Sequence, residues 1–369
     1  MNARFLLKNA VNLLIRRELE FTFDRIPMRA RNISNRKRRN LFRVGLNRLL
    51  PITPTMGYPY MAHISPGGSC NLHCTLCPVT DPGLKGKNLL PFDTFRKFID
   101  ETGDYLLYII LWSWGEPFLN RDIFRMIRYA RDRNILTVTS SNMNVFSQEH
   151  AEATLASGLD ALIVALDGTT QETYGRLRAG GDIEKVIAHT RMLVEAKRRA
   201  GATTPLINLR MVVSKENETE VDEFRTLAKR LGVDMVSFKA FSTRQAGYSD
   251  IEVDRRFAPQ TRKYRWYRYR PDFSLDRRPR RYRCKFPWTK PTLFPDGTII
   301  ACEYDYRYEH PFGNITTQSF EEIWFGPRAR AFRKQFRRDR DSILFCRDCV
   351  FDHKLIEGCV LEWELLEHA

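Results

Sequence analysis

Three cysteines fall within eight positions of one another in the segment SCNLHCTLCP, residues 69–78. The spacing of Cys70, Cys74 and Cys77 allows their thiolates to hold one metal centre. A closed structural zinc site uses four protein ligands, often as paired Cys-x2-Cys knuckles. Three thiolates on one tight loop instead suit an iron–sulfur cube that keeps one iron open for a small chelating molecule. Zinc, with His73 as a fourth ligand, is the alternative.

A second group of cysteines lies near the other end of the chain, and none stands between the two groups. Cys284, Cys302, Cys346 and Cys349 supply four thiolates, enough to saturate one further iron–sulfur cube. Four cysteines with a Cys-x2-Cys knuckle are also a zinc pattern, which stays open as an alternative. Cys359 is left over, and we expect no catalytic role for it.

The composition is that of a globular protein with a sizeable core. The 369 residues are 43% hydrophobic, which argues against wholesale disorder. No long uncharged apolar run predicts a transmembrane helix, and charged residues interrupt the apolar start of the chain, unlike a secretory signal. We therefore expect a cytoplasmic protein, in which clustered cysteines bind metal rather than form disulfides.

The formal charge of +16 comes from two segments. Residues 1–50 hold 13 Lys or Arg against 3 Asp or Glu, and residues 255–290 hold 14 against 2. Residues 3–21 have the apolar spacing of an amphipathic helix with a basic face. This helix is predicted either to dock on its own protein or to contact the inner surface of an anionic membrane.

The second basic segment interleaves arginine with aromatic residues, a pattern that suits single-stranded nucleic acid or an anionic lipid surface. Packing of the aromatic rings on the protein itself is the third interpretation, and the one we favour; nucleic acid is not expected as a partner. The aromatic residues are Tyr264, Trp266, Tyr267 and Tyr269.

From residue 59 onward the chain alternates between predicted strands and helices. The strands are predicted at 60–65, 106–112, 136–140, 160–166, 206–213 and 234–240, and the helices at 92–103, 120–133, 147–157, 182–200 and 217–231. Repeated strand–helix units with buried strands indicate a parallel sheet, and six of them suggest a barrel or partial barrel. Active sites of such folds lie at the carboxyl ends of the strands, where the three-cysteine loop follows the first strand.

The cysteine loop resembles the signature of radical S-adenosylmethionine (SAM) enzymes. Further segments resemble that family in the expected order: WSWGEPFLN (112–120), SSNMN (140–144), LIVALDGTTQETYGRLRAGGD (162–182) and VVSKENETEVDEF (212–224). The resemblance implies an α/β fold, a partial (β/α)6 TIM-like barrel. It also implies a [4Fe-4S] cluster, SAM, and a flavodoxin or ferredoxin as reductant. Bound SAM would be cleaved to a 5′-deoxyadenosyl radical that removes a hydrogen from the substrate.

The resemblance also assigns SAM contacts to Gly115, Glu116, Asn142, Asp167 and Arg178. Other roles are open for three of them: the asparagine could cap the helix that follows, the aspartate could stabilise its own turn, and the arginine could pair with a carboxylate. The chain departs from the family twice, since Trp114 stands where the family has its first glycine and Ala165 where many relatives have serine.

The C-terminal part resembles the SPASM extension in its shortened, one-cluster Twitch form. The matching text is FPDGTIIAC (294–302) and PFGNITTQSFEEIW (311–324). The first lies in a predicted hairpin, 291–302, with Asp296 and Gly297 at its turn, and a helix is predicted at 319–338. The extension implies a small α+β domain with a second [4Fe-4S] cluster, which would transfer electrons.

These observations predict four regions: a basic extension (1–58), the barrel (59–242), a basic aromatic linker (243–283) and the auxiliary-cluster domain (284–369). The favoured function is an oxidoreductase that oxidises or rearranges an anionic or lipid-linked small metabolite. A maturase that modifies a ribosomally made peptide is the alternative, and a zinc-stabilised nucleic-acid binder is a third. The residue that accepts a proton is not identified by any spacing.

Overall fold

The computed structural model describes residues 3–49, 57–242, 251–274, 284–347, 349 and 359–367. The strands are β1 (Leu19–Phe23), β2 (Ile26–Ala30), β3 (Met61–Ile64), β4 (Tyr108–Ile110), β5 (Leu136–Ser141), β6 (Ala161–Ala165), β7 (Leu206–Val213), β8 (Met235–Ala240), β9 (Thr292–Leu293), β10 (Thr298–Ile300), β11 (Gly313–Asn314) and β12 (Val360–Leu365). The α-helices are α1 (Ala3–Ile15), α2 (Asn35–Leu49), α3 (Phe92–Thr102), α4 (Ile123–Arg131), α5 (Gln148–Ser157), α6 (Gln171–Leu177), α7 (Ile183–Arg199), α8 (Val221–Leu231), α9 (Ile251–Phe257), α10 (Phe286–Thr289), α11 (Phe320–Trp324), α12 (Pro327–Arg338) and α13 (Leu344–Arg347).

One ten-stranded sheet organises the described chain, in the order β11-β10-β9-β3-β4-β5-β6-β7-β8-β12. The six strands from β3 to β8 are parallel to their neighbours and stand in chain order. This confirms the six predicted strands and the α/β class. The sheet is open rather than a closed barrel, because β9 continues it beside β3 and β12 pairs antiparallel with β8.

The two faces of the sheet are buried against different partners. Leu162 and Val164 belong to the core that packs with the helices, whereas Ala161 and Ile163 alternate with them and face the other way. This alternation follows from the two-residue period of a strand. The predicted helices are present as α3, α4, α5, α7 and α8. All except α5 bury a mainly apolar stripe, and α5 buries the small side chains Ala151, Thr154 and Ser157.

The prediction of a single helix over 3–21 was wrong. Helix α1 ends at Ile15, and the chain then forms the antiparallel hairpin β1–β2. Ile26 and Met28 of the hairpin pack against Val138 and Ile163 on the face of the sheet that the helices leave open. The hairpin therefore fills the interior of the open barrel, and the N-terminal segment is built into the fold.

The C-terminal region joins the same sheet. The predicted hairpin forms between β9 and β10, with Gly297 at φ +85 in its turn. The helix predicted at 319–338 is two helices, since α11 ends before Gly326 and α12 starts at Pro327. Proline suits the first position of a helix but cannot continue one.

The aromatic residues of the basic linker are largely packed into the protein. Tyr264, Trp266 and Tyr267 are at most 4% exposed, which agrees with the interpretation that they pack on the barrel. Their ring faces are therefore covered and do not offer bases a stacking surface. Residues 243–250 and 275–283 of the linker lie outside the described residues.

Among the described residues, no helix is long and apolar enough to cross a membrane.

A half-buried carboxyl between two strands gives the stability a predicted pH dependence. Burial raises the pKa of Asp160 to about 6, although Asp160 accepts a hydrogen bond from the Thr137 N–H at 2.7 Å. Between about pH 4 and pH 6 the folded carboxyl keeps a proton that the unfolded chain releases, so the free energy of unfolding falls as pH rises. Asp160→Asn removes the ionisable group and therefore this fall in the free energy of unfolding.

Relative to the natural protein, the free energy of unfolding of Asp160→Asn is expected to rise by up to about 1.4 kcal/mol per pH unit across that window. Anaerobic urea denaturation of both proteins at several pH values measures the difference. A difference that stays constant from pH 4 to pH 6 would contradict the shifted pKa.

Candidate active site and auxiliary metal site

The three-cysteine loop opens into a cavity of about 240 Å³ at the carboxyl ends of the parallel strands. All eight residues predicted to bind the cluster or SAM line this one cavity. They are Cys70, Cys74, Cys77, Gly115, Glu116, Asn142, Asp167 and Arg178. Segments more than 100 residues apart in sequence meet here because parallel strands end at the same edge of a sheet.

Backbone hydrogen bonds hold the cysteine loop against the segment that follows β6. The N–H of His73 donates to the carbonyl of Ala179 at 3.0 Å, and the N–H of Thr75 donates to that of Leu177 at 3.3 Å. The hydroxyl of Thr75 adds a bond to the Arg176 carbonyl at 3.0 Å. These bonds fix the thiols relative to Arg178, which lies in the same segment.

Gly115 lies too close to the cysteine loop for any side chain. Its φ is +130, and a Cβ there would stand 2.4 Å from the carbonyl oxygen of Gly67. The next N–H, of Glu116, donates to the carbonyl of Ser69 at 2.9 Å. Glycine is thus required by both the backbone angle and the close approach. The contacts link the Gly-Glu-Pro segment to the residues just before the first cysteine.

The Glu116 carboxylate organises two loops of the site from a buried position. It accepts hydrogen bonds from the N–H of Phe118 at 3.1 Å and from the N–H of Asn142 at 2.8 Å. Glu116 is 2% exposed, and burial raises its pKa although these N–H groups oppose the shift. Its role in this structure is to fix the backbone of the two loops around the cavity.

Asn142 turns its amide toward the cysteine loop. Its Nδ2 donates to Oδ1 of Asn71 at 2.9 Å and lies 3.7 Å from the sulfur of Cys70. The helix that follows is capped by Ser147, whose side chain accepts from the His150 N–H. Asn142 therefore does not act as that cap, which was one of the roles left open by the sequence.

Asp167 and Arg178 form a buried ion pair in the wall of the cavity. Arg178 Nε donates to Oδ2 of Asp167 at 2.6 Å, and the other carboxylate oxygen accepts from the N–H of Val212 at 2.7 Å. Burial alone would lower the pKa of Arg178, but Asp167 and the nearby Cys74 raise it. The pairing expected as an alternative role is present, and it holds the guanidinium beside Cys74.

The three thiols are partly buried. Burial raises the pKa of Cys70 to about 11 and also raises the pKa values of Cys74 and Cys77. Arg178 opposes the shift at Cys74 by favouring the thiolate. Binding of a metal centre to these sulfurs therefore displaces protons from them.

Both departures from the family pattern line the cavity, and one of them has a structural role that the sequence did not reveal. Trp114 donates from its indole Nε1 to the carbonyl of Glu303 at 3.2 Å. Its ring lies 6.3 Å from that of Tyr304 and 6.0 Å from that of Tyr306. Trp114 thus connects the cavity wall to the C-terminal region, next to Cys302. The second departure, Ala165, lies in the cavity wall on β6.

The second group of cysteines converges on a small, mainly apolar pocket of about 20 Å³ in the C-terminal region. Its lining includes Cys284, Cys302, Cys346 and Cys349 together with Phe286, Pro287, Tyr304, Phe332, Phe336, Arg340 and Phe345. The four predicted auxiliary ligands are therefore brought together. Cys359 lies elsewhere, with its sulfur 3.1 Å from Oδ1 of Asp24 on the N-terminal hairpin.

A buried charged network that the sequence did not suggest lies between the two cysteine groups. Lys290 donates to both carboxylate oxygens of Glu303, at 2.9 and 2.7 Å, and the His63 ring stands 3.5 Å from the same carboxylate. Burial alone would raise the pKa of Glu303, but Lys290 and His63 hold it well below its usual range. The ionised Glu303 is the sequence neighbour of Cys302.

The donor chemistry of both sites fits iron–sulfur clusters. Three thiols on one wall of an open cavity match a cube with one accessible iron, and four thiols around an apolar pocket match a fully ligated one. Among the described residues, no three His, Cys, Asp or Glu side chains converge closely enough to hold a single metal ion. The thiols line the walls of the two pockets instead of surrounding one point.

Comparison with known proteins gives two family matches. Residues 64–228 match the radical SAM superfamily, and residues 284–350 match SPASM, an iron–sulfur cluster-binding domain. The first match contains all eight predicted residues of the open cavity, and the second contains the four cysteines of the apolar pocket.

Curated relatives agree with these matches. The chain is 29% identical over 199 residues to an AdoMet-dependent heme synthase of Methanosarcina barkeri, covering 54% of each chain. It is 24% identical to the AdoMet-dependent heme synthase of Nitratidesulfovibrio vulgaris, over 79% of this chain and 84% of the relative. The mycofactocin maturase MftC of Mycobacterium tuberculosis is 25% identical, over 44% of this chain and 40% of its own.

A solved structure shares the fold. SuiB of Streptococcus suis, bound to its precursor peptide SuiA, superposes with a TM-score of 0.57 at 16% identity. The superposition covers 80% of this chain and 71% of SuiB. With both family matches, the chain belongs to the radical SAM superfamily, uses a [4Fe-4S] cluster and SAM, and carries a C-terminal SPASM domain for auxiliary iron–sulfur binding.

Proposed function

We propose that this protein is a radical SAM oxidoreductase that oxidises or rearranges an anionic or lipid-linked small metabolite, with an auxiliary [4Fe-4S] cluster as electron conduit. The observation that carries the proposal is the contact between Trp114 and Glu303. Trp114 lines the open cavity, and the carbonyl it binds belongs to the neighbour of Cys302 in the auxiliary pocket. A substrate radical in the cavity would thus lie one wall away from an electron acceptor.

The proposed ligands of the first cluster are Cys70, Cys74 and Cys77, and those of the auxiliary cluster are Cys284, Cys302, Cys346 and Cys349. When bound, the first cluster and SAM supply a 5′-deoxyadenosyl radical that removes a hydrogen from the substrate. A flavodoxin or ferredoxin is the proposed source of the initiating electron, and the cytoplasm the proposed location.

The protein's own groups would orient and shield the reactants. Gly115, Glu116, Asn142, Asp167 and Arg178 are proposed to contact SAM, either directly or by fixing the backbone that does. Arg178 is the proposed partner for a carboxylate of a bound reactant. Its Nε is held by Asp167, and its guanidinium lines the cavity.

The cavity wall supports a substrate with an apolar body. Leu76, Leu177 and Phe241 form an apolar side of the cavity, and Ser214 and Ser242 place hydroxyl groups beside it. Within the described lining, Arg178 is the one cationic side chain, and it already has a carboxylate partner. This combination favours the lipid-linked form of the proposed metabolite over a small free polyanion.

Peptide modification is the second candidate. It is supported by the relative MftC, which is named as a maturase. For either function, we propose that the chain is organised in four regions, with boundaries at residues 58, 242 and 283. Under the peptide alternative, the same cavity would receive one side chain of an extended chain.

The test uses deuterated extracts and the anaerobically reconstituted full-length protein. Cells are grown in heavy water, and their lipid, water-soluble and peptide fractions are offered separately with unlabelled SAM and dithionite. Deuterium in 5′-deoxyadenosine from the lipid fraction is the expected result, whereas label from the peptide fraction supports the alternative. Label from none of the fractions would contradict both.

The role of the auxiliary cluster is tested with the fraction that donates label. Cys302→Ala is expected to retain label transfer but to lose the oxidised product, because hydrogen removal precedes the second electron transfer. Cys359→Ala is the matched control, since this thiol lies outside the auxiliary pocket. Normal product formation by Cys302→Ala would show that the cluster is not the electron acceptor.

A further inference from the structure

The two N-terminal helices expose a cluster of apolar side chains. Val11, Leu14 and Ile15 on α1 are 44%, 70% and 76% exposed, and Phe42 on α2 is 68% exposed. These are four of the seven large apolar side chains that are exposed in the described part of the chain. Such a concentration on one surface marks an interaction site more often than scattered single residues do.

A hydrogen bond joins the two helices next to these side chains. The Arg38 guanidinium of α2 donates to the carbonyl of Leu14 at 3.0 Å, at the C-terminal end of α1. Phe42 follows Arg38 by four residues, which is one helical turn along the same face. Phe42 therefore stands beside the end of α1 that carries Leu14 and Ile15, and we call these residues with Val11 the N-terminal surface.

Unpaired arginines surround the N-terminal surface. Arg16, Arg17, Arg39 and Arg43 are exposed, and within the described chain none of them forms an ion pair. Neighbouring cations differ, because Lys8 is paired with Glu20 at 2.9 Å and other basic residues of the segment are also matched by carboxylates. The surface thus combines exposed apolar groups with uncompensated positive charge, as interfacial helices do.

The position of the N-terminal surface argues against two candidate partners, an electron donor and a second copy of this chain. Leu13 and Leu41 of the same helices pack against Leu107 and Leu136, at the amino-terminal starts of β4 and β5. The cysteine cavity lies at the opposite, carboxyl ends of the strands. An electron donor bound at this surface would be a strand length of roughly 15 Å or more from the cavity edge, and a second copy would bring like charges together.

We propose that the N-terminal surface docks this protein on an anionic membrane, with the apolar side chains at the acyl boundary and the arginines among the headgroups. In this orientation the cysteine cavity opens on the side away from the bilayer, so a lipid-linked substrate would reach it only after leaving the membrane. The proposal concerns binding and does not depend on which reaction the cavity performs, so its test is independent of catalysis.

The experiment is sedimentation of the full-length, reconstituted protein with vesicles. The probes are phosphatidylcholine vesicles and vesicles that mix phosphatidylcholine with phosphatidylglycerol, each at about 0.1 M and about 1 M salt, where the screening length falls from ~10 to ~3 Å. Binding to the anionic vesicles at the lower salt, reduced at least about 10-fold by the higher salt or by neutral vesicles, is expected.

Two paired substitutions separate the contributions. Leu14→Ser with Phe42→Ser removes apolar contact, and Arg39→Gln with Arg43→Gln removes charge; each pair is expected to weaken binding at least about 10-fold. The matched controls are Leu89→Ser, at a side chain 42% exposed elsewhere, and Arg328→Gln with Arg330→Gln on the exposed face of α12. Controls should bind as the natural protein does.

Several outcomes would overturn the proposal. These are absence of binding to anionic vesicles, equal binding to neutral and anionic vesicles at both salt concentrations, or equal loss in the control variants. Capture of an acidic ferredoxin by the N-terminal surface without vesicle binding would identify it instead as a protein-docking site.

Discussion

A variant in which alanine replaces Cys70, Cys74 and Cys77 is expected to lose SAM cleavage completely and about half of its iron, falling from about eight to about four irons per chain. The physical reason is the composition of the open cavity. These are the three thiols in its described lining, and no other side chain of the wall offers the soft sulfur donors that hold an iron–sulfur cluster.

The measurement is anaerobic reconstitution followed by iron and sulfide analysis and assay of 5′-deoxyadenosine formation with dithionite. A circular dichroism spectrum like that of the natural protein, together with the remaining auxiliary-cluster absorbance, establishes that the variant is folded. Cys359→Ala serves as the control for loss of a thiol outside both pockets and should keep about eight irons. Retention of SAM cleavage by the triple variant would refute the assignment of the loop.

The sequence was sufficient to predict the open cavity because the architecture is repetitive. Six buried strands separated by helices can form a parallel sheet whose carboxyl ends share one edge. Each motif follows a strand, so Cys70, Glu116, Asn142 and Asp167 had to meet once the sheet formed. The four auxiliary cysteines were recognisable by spacing, and the structure brings them to one pocket.

The N-terminal hairpin was missed because its signal is short. Phe21 and Phe23 alternate with polar residues, and Ile26 and Met28 alternate with Pro27 and Arg29. This is the two-residue period of strands around a turn. The preceding helical pattern of α1 concealed this change of period. The same alternation in VLEWEL, residues 360–365, carried the signal for β12 and was also not used.

The links between regions could not be predicted at all. The bond from Trp114 to Glu303 joins residues 189 positions apart, and the Lys290–Glu303–His63 network depends on β9 lying beside β3. Such contacts arise from how the C-terminal region closes on the barrel, and local patterning does not determine them. In the sequence, Trp114 was visible only as a departure from glycine.

Replacement of Asp167 by asparagine is expected to destabilise the protein by about 3 kcal/mol, because it leaves the Arg178 guanidinium in the cavity wall without its counter-charge. The side chains of Asp167 and Arg178 are only 8% and 19% exposed, so water cannot fully compensate. Asparagine is nearly the same size and can still accept the hydrogen bond from the Val212 N–H. The variant therefore tests the charge and leaves the strand contact in place.

Anaerobic urea denaturation measures the loss, with Glu172→Gln as the matched control. Glu172 pairs with Arg176 on the same segment, but those side chains are 76% and 56% exposed, and breaking such a pair costs less than about 1 kcal/mol. SAM binding should also weaken in Asp167→Asn, because the guanidinium is no longer held in place beside Cys74. Equal stability of the two variants would mean that Arg178 finds solvent or another partner, and that its position does not depend on Asp167.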